Sequence, residues 1–345
     1  MCKHANSVDF SSPIAALVVG SLRAIGQVAF VNSAITGSLI LVGCVIERPL
    51  SAALGLIACL IGTLLGFVVP GERINALNGL HGYNGYLFGM GLGYFNYNLS
   101  GDPSSGYYFA VLLPTVVAGA VICFLINIAL RSSVSTPPFT FAYNMTLSCW
   151  LAYASSLSSS SDFVPTFRYQ SQPLWVSYSE IDFGWYMRCT LAGIGQVFFS
   201  PELRSSIFIL AGLAIGSPIS AFLAVIGSAV GTGIAVVSHA SASLTEEGVY
   251  GLSAVLGSIG LGGFYFYFSL WSIGLSVLTS ILCVVITPVI AGLFVRPNGP
   301  SMTFPFCVAA TLMHASAKAL GRPILVPVDS LESPEAHLGS PAIKY

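Results

Sequence analysis

The two halves of this chain resemble each other at a nearly constant spacing. The stretch Ile25–Phe30, IGQVAF, returns as Ile194–Phe199, IGQVFF, 169 positions later (196 − 27 = 169). Two further pairs keep the same order, at spacings of 169 and 167: Gly79–Asn84 with Gly248–Ser253, and Thr136–Phe139 with Thr303–Phe306. Three such pairs indicate an internal duplication, so the chain must adopt a fold that two similar halves can build.

The composition indicates that both halves lie in a membrane. Hydrophobic residues make up 55% of the 345 positions and charged residues only 7%, whereas a soluble domain carries about 25% charge. The apolar stretches are long and lack strand-like alternation, so the spans are expected to be helices. The net charge of −1 does not favour nucleic-acid binding. The eight cysteines form no CxxC pair, so neither a metal nor a cofactor is expected.

The apolar stretches divide the chain into five regions. We expect an N-terminal polar segment at 1–12, a first transmembrane repeat at 13–157, a linker at 158–185, a second repeat at 186–320 and a C-terminal tail at 321–345. Each repeat offers five candidate spans: near 13–31, 34–50, 51–70, 106–130 and 138–157, and near 187–199, 204–216, 217–239, 266–296 and 303–320.

A glycine-rich segment interrupts each repeat, at 77–95 and 246–263. Matching interrupted segments favour re-entrant half-helices beside a transport path, although glycines in membranes also serve close helix packing. A repeat with five spans reverses its orientation in the membrane. The predicted fold is therefore an all-α integral membrane protein of two inverted repeats, each with five transmembrane helices and one re-entrant half-helix, with a pore at the repeat interface.

Paired polar residues are the candidate site. Gln27 and Gln196 occupy equivalent positions in the first span of each half, each followed three residues later by Phe30 or Phe199, which places amide and ring on one helix face. The alternative is that each glutamine only bonds a neighbouring helix. If both face the pore, replacing either by leucine should lower transport to a similar degree.

One threonine precedes the last span of each half. Thr136 and Thr303 each begin a Thr-x-Pro-Phe stretch. They are candidates for a narrow point of the path, or else helix N-caps.

Charged residues are not repeated between the halves. Arg23 lies within a span, but its counterpart is Ala192. Coupled carriers and ion pores are typically lined by buried carboxylates or charged rings. Aromatic rings with amide and hydroxyl groups suit a small, flat, uncharged solute instead. No converging nucleophile and base are evident, so the protein is not expected to be an enzyme.

These residues resemble those of the urea transporter family. The resemblance lies in Leu22–Val28, Asn78–Gly85, Leu191–Phe199 and Thr303–Phe306, with Pro327–Glu335 similar to the family's ending. It extends over roughly residues 13 to 340.

The resemblance implies a homotrimer with one pore per protomer and passive, uncoupled passage of urea across a plasma or bacterial inner membrane. It assigns aromatic walls to Phe30 and Phe199, path-lining amides to Gln27 and Gln196, and the narrowest point to Thr136 and Thr303. Filter positions on the half-helices fall on Tyr83, Leu87, Leu252 and Leu256.

The second half departs from this pattern. Leu252 stands where the first half has Tyr83, and Ser253 where it has Asn84, so the second filter is expected to be wider. Three alternatives stay open: a channel of this fold for ammonia or another small neutral amide, an ion-coupled secondary transporter, and a membrane scaffold that transports nothing.

Overall fold

The computed structural model describes residues 12–100, 111–133, 136–157, 181–293, 300–319, 325–327 and 331–338, and among these the side chains of 96–100 and 155–157 are excluded. Most of the predicted N-terminal segment and of the linker, together with part of the tail, therefore lies outside the described residues, as does the start of the span predicted at 106–130.

Helices make up both halves of the fold. Those of the first half are α1 Pro13–Gln27, α2 Ala34–Glu47, α3 Pro49–Val68, α4 Arg73–Leu77, α5 Tyr83–Ser100, α6 Leu113–Ser133 and α7 Phe141–Leu157. Those of the second half are α8 Phe183–Gln196, α9 Leu203–Gly216, α10 Pro218–Val237, α11 Ala242–Glu246, α12 Val249–Ile259, α13 Leu270–Leu293 and α14 Phe304–Ala319. A π-helical turn, Gly260–Phe264, extends α12, and a 3₁₀ turn occupies Pro334–His337.

The helix boundaries repeat the spacing seen in the sequence. The helices α2, α3 and α4 begin 169 positions before α9, α10 and α11, whereas α7 begins 163 positions before α14. The second half is therefore six residues shorter somewhere between its half-helix and its last helix.

Within the part of the chain that the structure describes, four helices are long and apolar enough to cross a membrane: α3, α6, α10 and α13, with 20, 21, 20 and 24 residues. Because a 20-residue helix is about 30 Å long, each matches the hydrocarbon core of a bilayer. The other helices at predicted spans have 14 to 17 residues. The structure therefore supports an all-α, multi-pass membrane protein, while the ten full spans and their inversion stay predictions.

The glycines of the predicted half-helices serve close packing. In the first glycine-rich segment, predicted as a half-helix at 77–95, one continuous helix begins at Tyr83 and ends at Ser100. A Cβ on Gly89 would lie 2.3 Å from the Leu54 carbonyl oxygen of α3, and one on Gly227 of α10 would lie 2.5 Å from the Ala254 carbonyl oxygen of α12. Each half-helix thus rests directly on the third helix of its own repeat.

Replacing Gly37 by alanine tests this close packing. A Cβ on Gly37 of α2 would lie 1.7 Å from the Leu22 carbonyl oxygen of α1, so Gly37→Ala should destabilise the protein by about 1–3 kcal/mol. Gly274→Ala is the matched control, because nothing lies within 4 Å of that position in α13. We expect a lower melting temperature in detergent for Gly37→Ala only. Equal melting temperatures would contradict the tight α1–α2 contact.

Candidate solute-binding site

A left-handed residue ends the first helix of each half. After α1, Phe30 has φ of 62°, its N–H donates to the Gln27 carbonyl oxygen (3.0 Å), and the Val31 N–H donates to that of Gly26 (3.1 Å). This pair of bonds is the Schellman motif, in which the left-handed position is usually glycine. A phenylalanine there costs about 1–2 kcal/mol, so its ring direction is set at the expense of local backbone stability.

The second half repeats this motif. Phe199 has φ of 56°, and its N–H donates to the Gln196 carbonyl oxygen (3.0 Å), while the Ser200 N–H donates to that of Gly195 (3.1 Å). A Cβ on Gly195 would lie 2.1 Å from the Ser200 carbonyl oxygen. The turn thus explains the repeated glycine, which leaves room for the returning chain. The glutamine contributes only its backbone carbonyl oxygen to the turn.

The phenylalanine ring after the first helix of each half packs against the opposite half. Phe30 lies 5.1 Å, centroid to centroid, from Phe264 of the second half, and a Cβ on Gly260 would lie 3.4 Å from its ring. The ring of Phe30 therefore rests on the glycine surface of the opposite half-helix.

The reciprocal contact exists at Phe199. Its ring lies 5.8 Å from Phe95 of the first half and 5.4 Å from Tyr94, and a Cβ on Gly91 would lie 3.1 Å from it. Phe95 and Gly91 lie 169 positions before Phe264 and Gly260, so the two crossed contacts are related by the internal repeat.

A buried polar cluster lies where α7 meets α14. The hydroxyl oxygens of Thr140 and Thr303, each one residue before its helix, are 2.7 Å apart. The Asn144 side-chain amide donates to Thr303 Oγ1 (2.9 Å), and the Tyr143 hydroxyl oxygen lies 3.3 Å from it. The two halves are thus joined by hydroxyl and amide groups, which can each both donate and accept.

The structure pairs Thr303 with Thr140 and not with Thr136. Both Thr140 and Thr303 follow a left-handed residue, Phe139 with φ of 47° and Met302 with φ of 44°. Thr136 lies four residues earlier, partly buried in the connection before α7. The predicted pairing of Thr136 with Thr303 is therefore wrong, because it matched Thr-x-Pro-Phe letters at a spacing of 167 where the helices are offset by 163.

The Thr303 hydroxyl serves more than its own helix. The hydrogen bonds described for its Oγ1 join it to Thr140, Tyr143 and Asn144 across the repeat interface. The capping role that the sequence left open therefore does not account for this side chain.

A cavity of about 40 Å³ opens beside the Phe199 contact. A single water needs about 10–15 Å³ on the same measure, so the cavity admits a few waters or one small solute. Its walls come from both halves, and the described residues in them are all uncharged: Tyr94, Phe95, Tyr143, Gln196, Val197, Phe199, Leu244, Val249, Leu252, Pro300, Ser301, Met302 and Thr303.

The two repeated glutamines have different surroundings. The Gln27 amide donates to the Asn78 carbonyl oxygen at 3.0 Å. Gln196, which is 8% exposed and lines the cavity, has an Oε1 that finds no hydrogen-bond partner among the described residues. A buried acceptor left unpaired costs about 1–3 kcal/mol, so a partner that donates an N–H group to Oε1 is favoured.

The residues predicted as filter positions on the half-helices also differ in their surroundings. Leu252 lines the cavity, whereas Leu87 and Leu256 are fully buried in the core. The Tyr83 hydroxyl donates to the Phe139 carbonyl oxygen at 2.7 Å, so it supports the turn that positions Thr140. The cavity thus lies on the side where leucine replaces tyrosine.

A charged group supports the turn before α5. Glu72 accepts a hydrogen bond from the Asn75 amide (2.8 Å), lies 2.7 Å from His81 Nε2 and forms an ion pair with Arg131 at 3.5 Å. Partial burial alone would raise the pKa of Glu72, but these neighbours outweigh it and hold the pKa below 4.5. The stability contributed by this carboxylate is therefore present above the unfolded pKa and is lost as the pH falls through the lowered folded value.

Comparison with known proteins identifies the family. The urea transporter family model matches residues 18–318. The chain belongs to the urea transporter family. Its similar relatives include Urea transporter 1 of Mus musculus, 27% identical over 300 residues that cover 84% of this chain and 74% of the relative. Urea transporter 1 of Ovis aries is 26% identical over 306 residues, with coverage of 84% and 74%.

Several residues of this candidate site were not predicted from the sequence. Thr140 could have been found, since Thr140-Phe141 matches Thr303-Phe304. Phe95 and Phe264 also share the repeat spacing, but only the structure places each against the phenylalanine of the opposite half. Asn144 is matched by Cys307 and so gives no repeat signal.

Valine substitutions test whether Thr140 or Thr136 is the partner of Thr303. Thr303→Val and Thr140→Val keep the side-chain shape but leave buried partners unpaired, so each should destabilise the protein by about 1–3 kcal/mol. Thr136→Val makes the same chemical change in the preceding connection and should leave the melting temperature in detergent nearly unchanged. A larger loss for Thr136→Val than for Thr140→Val would contradict the observed pairing.

Proposed function

We propose that this protein is a passive channel that conducts urea down its concentration gradient between two inverted repeats of five spans each. Membership of the urea transporter family and relatives named Urea transporter 1 support urea as the solute. We further propose a homotrimer in a plasma or bacterial inner membrane, with one path in each protomer.

The unpaired Oε1 of Gln196 is the observation that carries this proposal. The Gln196 residue lines a cavity whose described walls are uncharged, where Phe95 and Phe199 are neighbours and Thr303 stands at one side. Urea is flat and carries four N–H donors. Its edge can donate to an amide oxygen while aromatic rings cover its faces.

Passage through the site is an exchange of hydrogen-bond partners. Urea first donates to Gln196 Oε1, which replaces water lost on leaving solution. The buried hydroxyls of Thr140 and Thr303 then offer acceptors at the repeat interface. Phe30 and Phe264 form the related wall on the opposite side. Modest hydrogen bonds at successive positions let the solute leave as readily as it enters.

The uncharged cavity favours passive conduction over ion coupling. Coupled transport needs groups that bind a proton or a metal ion, which are commonly carboxylates at membrane depth. Among the described residues, none that lines the cavity is acidic or basic. A neutral solute can therefore cross without a partner ion.

A channel for another small neutral amide is the second candidate. Leu252 stands at the cavity where the first repeat has Tyr83, and its smaller side chain leaves room for a methyl group. Acetamide flux equal to or above urea flux in the purified protein would favour this candidate.

Flux without ion gradients tests the passive mechanism. In proteoliposomes at equal pH and salt on both sides, urea should equilibrate in either direction at a rate proportional to its gradient. Stopped-flow light scattering measures this rate, with protein-free liposomes as the control. Accumulation of labelled urea above the outside concentration, driven by an imposed proton or sodium gradient, would contradict the proposal.

The two glutamines should respond differently to leucine. Gln196→Leu removes the solute acceptor and should lower urea flux per folded molecule about two- to tenfold, equivalent to a bond of 0.5–1.5 kcal/mol. It also removes the hydrogen bond between the Gln196 side chain and Tyr94. Gln27→Leu is the matched control. It breaks the bond to Asn78 and should lower stability by about 0.6 kcal/mol, with flux per folded molecule retained.

Flux normalised to folded protein and the melting temperature decide between these outcomes. Equal flux losses would restore the symmetric role predicted from the sequence. Normal flux in Gln196→Leu would remove Gln196 from the path.

A further inference from the structure

Tyr265 is a buried aromatic residue, outside the repeated motifs, that packs against the predicted pore wall. Its ring lies 5.6 Å from Phe30 at an interplanar angle of 78° and 5.4 Å from Phe139 at 84°. It thus stands edge-on to both the left-handed phenylalanine of α1 and the residue just before Thr140. The position 169 residues earlier is Asn96, so the repeat supplies no equivalent ring.

The backbone of Tyr265 is held from two sides. Its N–H donates to the Gly260 carbonyl oxygen at 2.8 Å, and its carbonyl oxygen accepts from the Val326 N–H at 2.9 Å. The next residue, Phe266, forms an isolated antiparallel bridge with Leu325. The C-terminal strap, defined as residues 325–327 and 331–338, therefore touches the chain directly at the residue that faces Phe30.

The strap has a second anchor at the start of α10. The Glu335 carboxylate accepts from the Ile219 N–H (2.8 Å) and from the Ser217 hydroxyl (2.8 Å). A carboxylate at a helix N-terminus pairs with otherwise unsatisfied N–H groups and with the helix dipole. Pro334 packs against Gly263, where a Cβ would lie 2.8 Å from the proline ring.

We propose that Tyr265 determines which solutes pass the Phe30 side of the path, and that Glu335 is a positioning residue that keeps it there through the strap. This inference rests on the proposed function. With Tyr265 edge-on to Phe30, the space beside the Phe30 ring is limited to a thin, unsubstituted solute. A methyl group on one nitrogen of urea requires the Tyr265 ring to move away, which the strap opposes.

The ratio of N-methylurea flux to urea flux tests this inference in full-length protein in proteoliposomes. Tyr265→Ala should raise the ratio up to about tenfold. This is the lower end of the discrimination that a pocket achieves between substrates that differ by one methylene. Tyr265→Phe keeps the ring and should keep the wild-type ratio. Glu335→Ala should also raise the ratio, by a smaller factor. Glu332→Ala removes a negative charge from the same strap and should leave the ratio unchanged.

The outcomes separate the inference from the proposed function. Wild-type protein without urea flux would overturn both. Wild-type urea flux with an unchanged ratio in Tyr265→Ala would overturn the inference alone, as would an equal rise in Tyr265→Phe. If Tyr265→Ala does not fold, Tyr265→Leu takes its place. Glu335→Ala tests the role of the strap: a flux ratio no higher than that of Glu332→Ala would overturn that role.

Discussion

The left-handed backbone at Phe30 and Phe199 is the constraint on which the site depends. Each residue occupies a Schellman position that glycine usually fills, at a cost of about 1–2 kcal/mol for a phenylalanine. Ring contacts with the opposite half offset this cost, since an aromatic pair contributes about 0.5–1.5 kcal/mol beyond the area it buries. The strain is therefore sustained only while the two halves remain packed together.

Neither half completes the site alone. Phe30 rests on Gly260 and Phe264 of the second half, and Phe199 rests on Gly91 and Phe95 of the first. The polar cluster is likewise shared, because Asn144 of α7 donates to the threonine before α14. A duplicated chain thus places aromatic contacts on two sides of hydroxyl and amide groups, and the uncharged cavity opens at this junction.

The repeated motifs predicted the elements better than the contacts between them. The spans expected at 34–50 and 51–70 correspond to Ala34–Glu47 and Pro49–Val68, because continuous apolar sequence determines helices in a membrane. Glycines of the predicted half-helix at 77–95, such as Gly89, lie inside the helix Tyr83–Ser100 and provide close approach to α3. Thr136 was paired with Thr303 by similar letters, whereas the structural partner is Thr140. Tyr265 and the strap could not be predicted, because their role depends on tertiary packing against Phe30.

The central claim is that the solute occupies the space between the two halves, against Phe199 and Gln196. The most direct measurement is a structure of the protein in lipid, determined with urea bound at high resolution. The account predicts planar density in the cavity against the Phe199 ring, with a urea nitrogen within about 3.2 Å of Gln196 Oε1. Urea density confined to a surface made by one half alone, with this cavity empty, would contradict it.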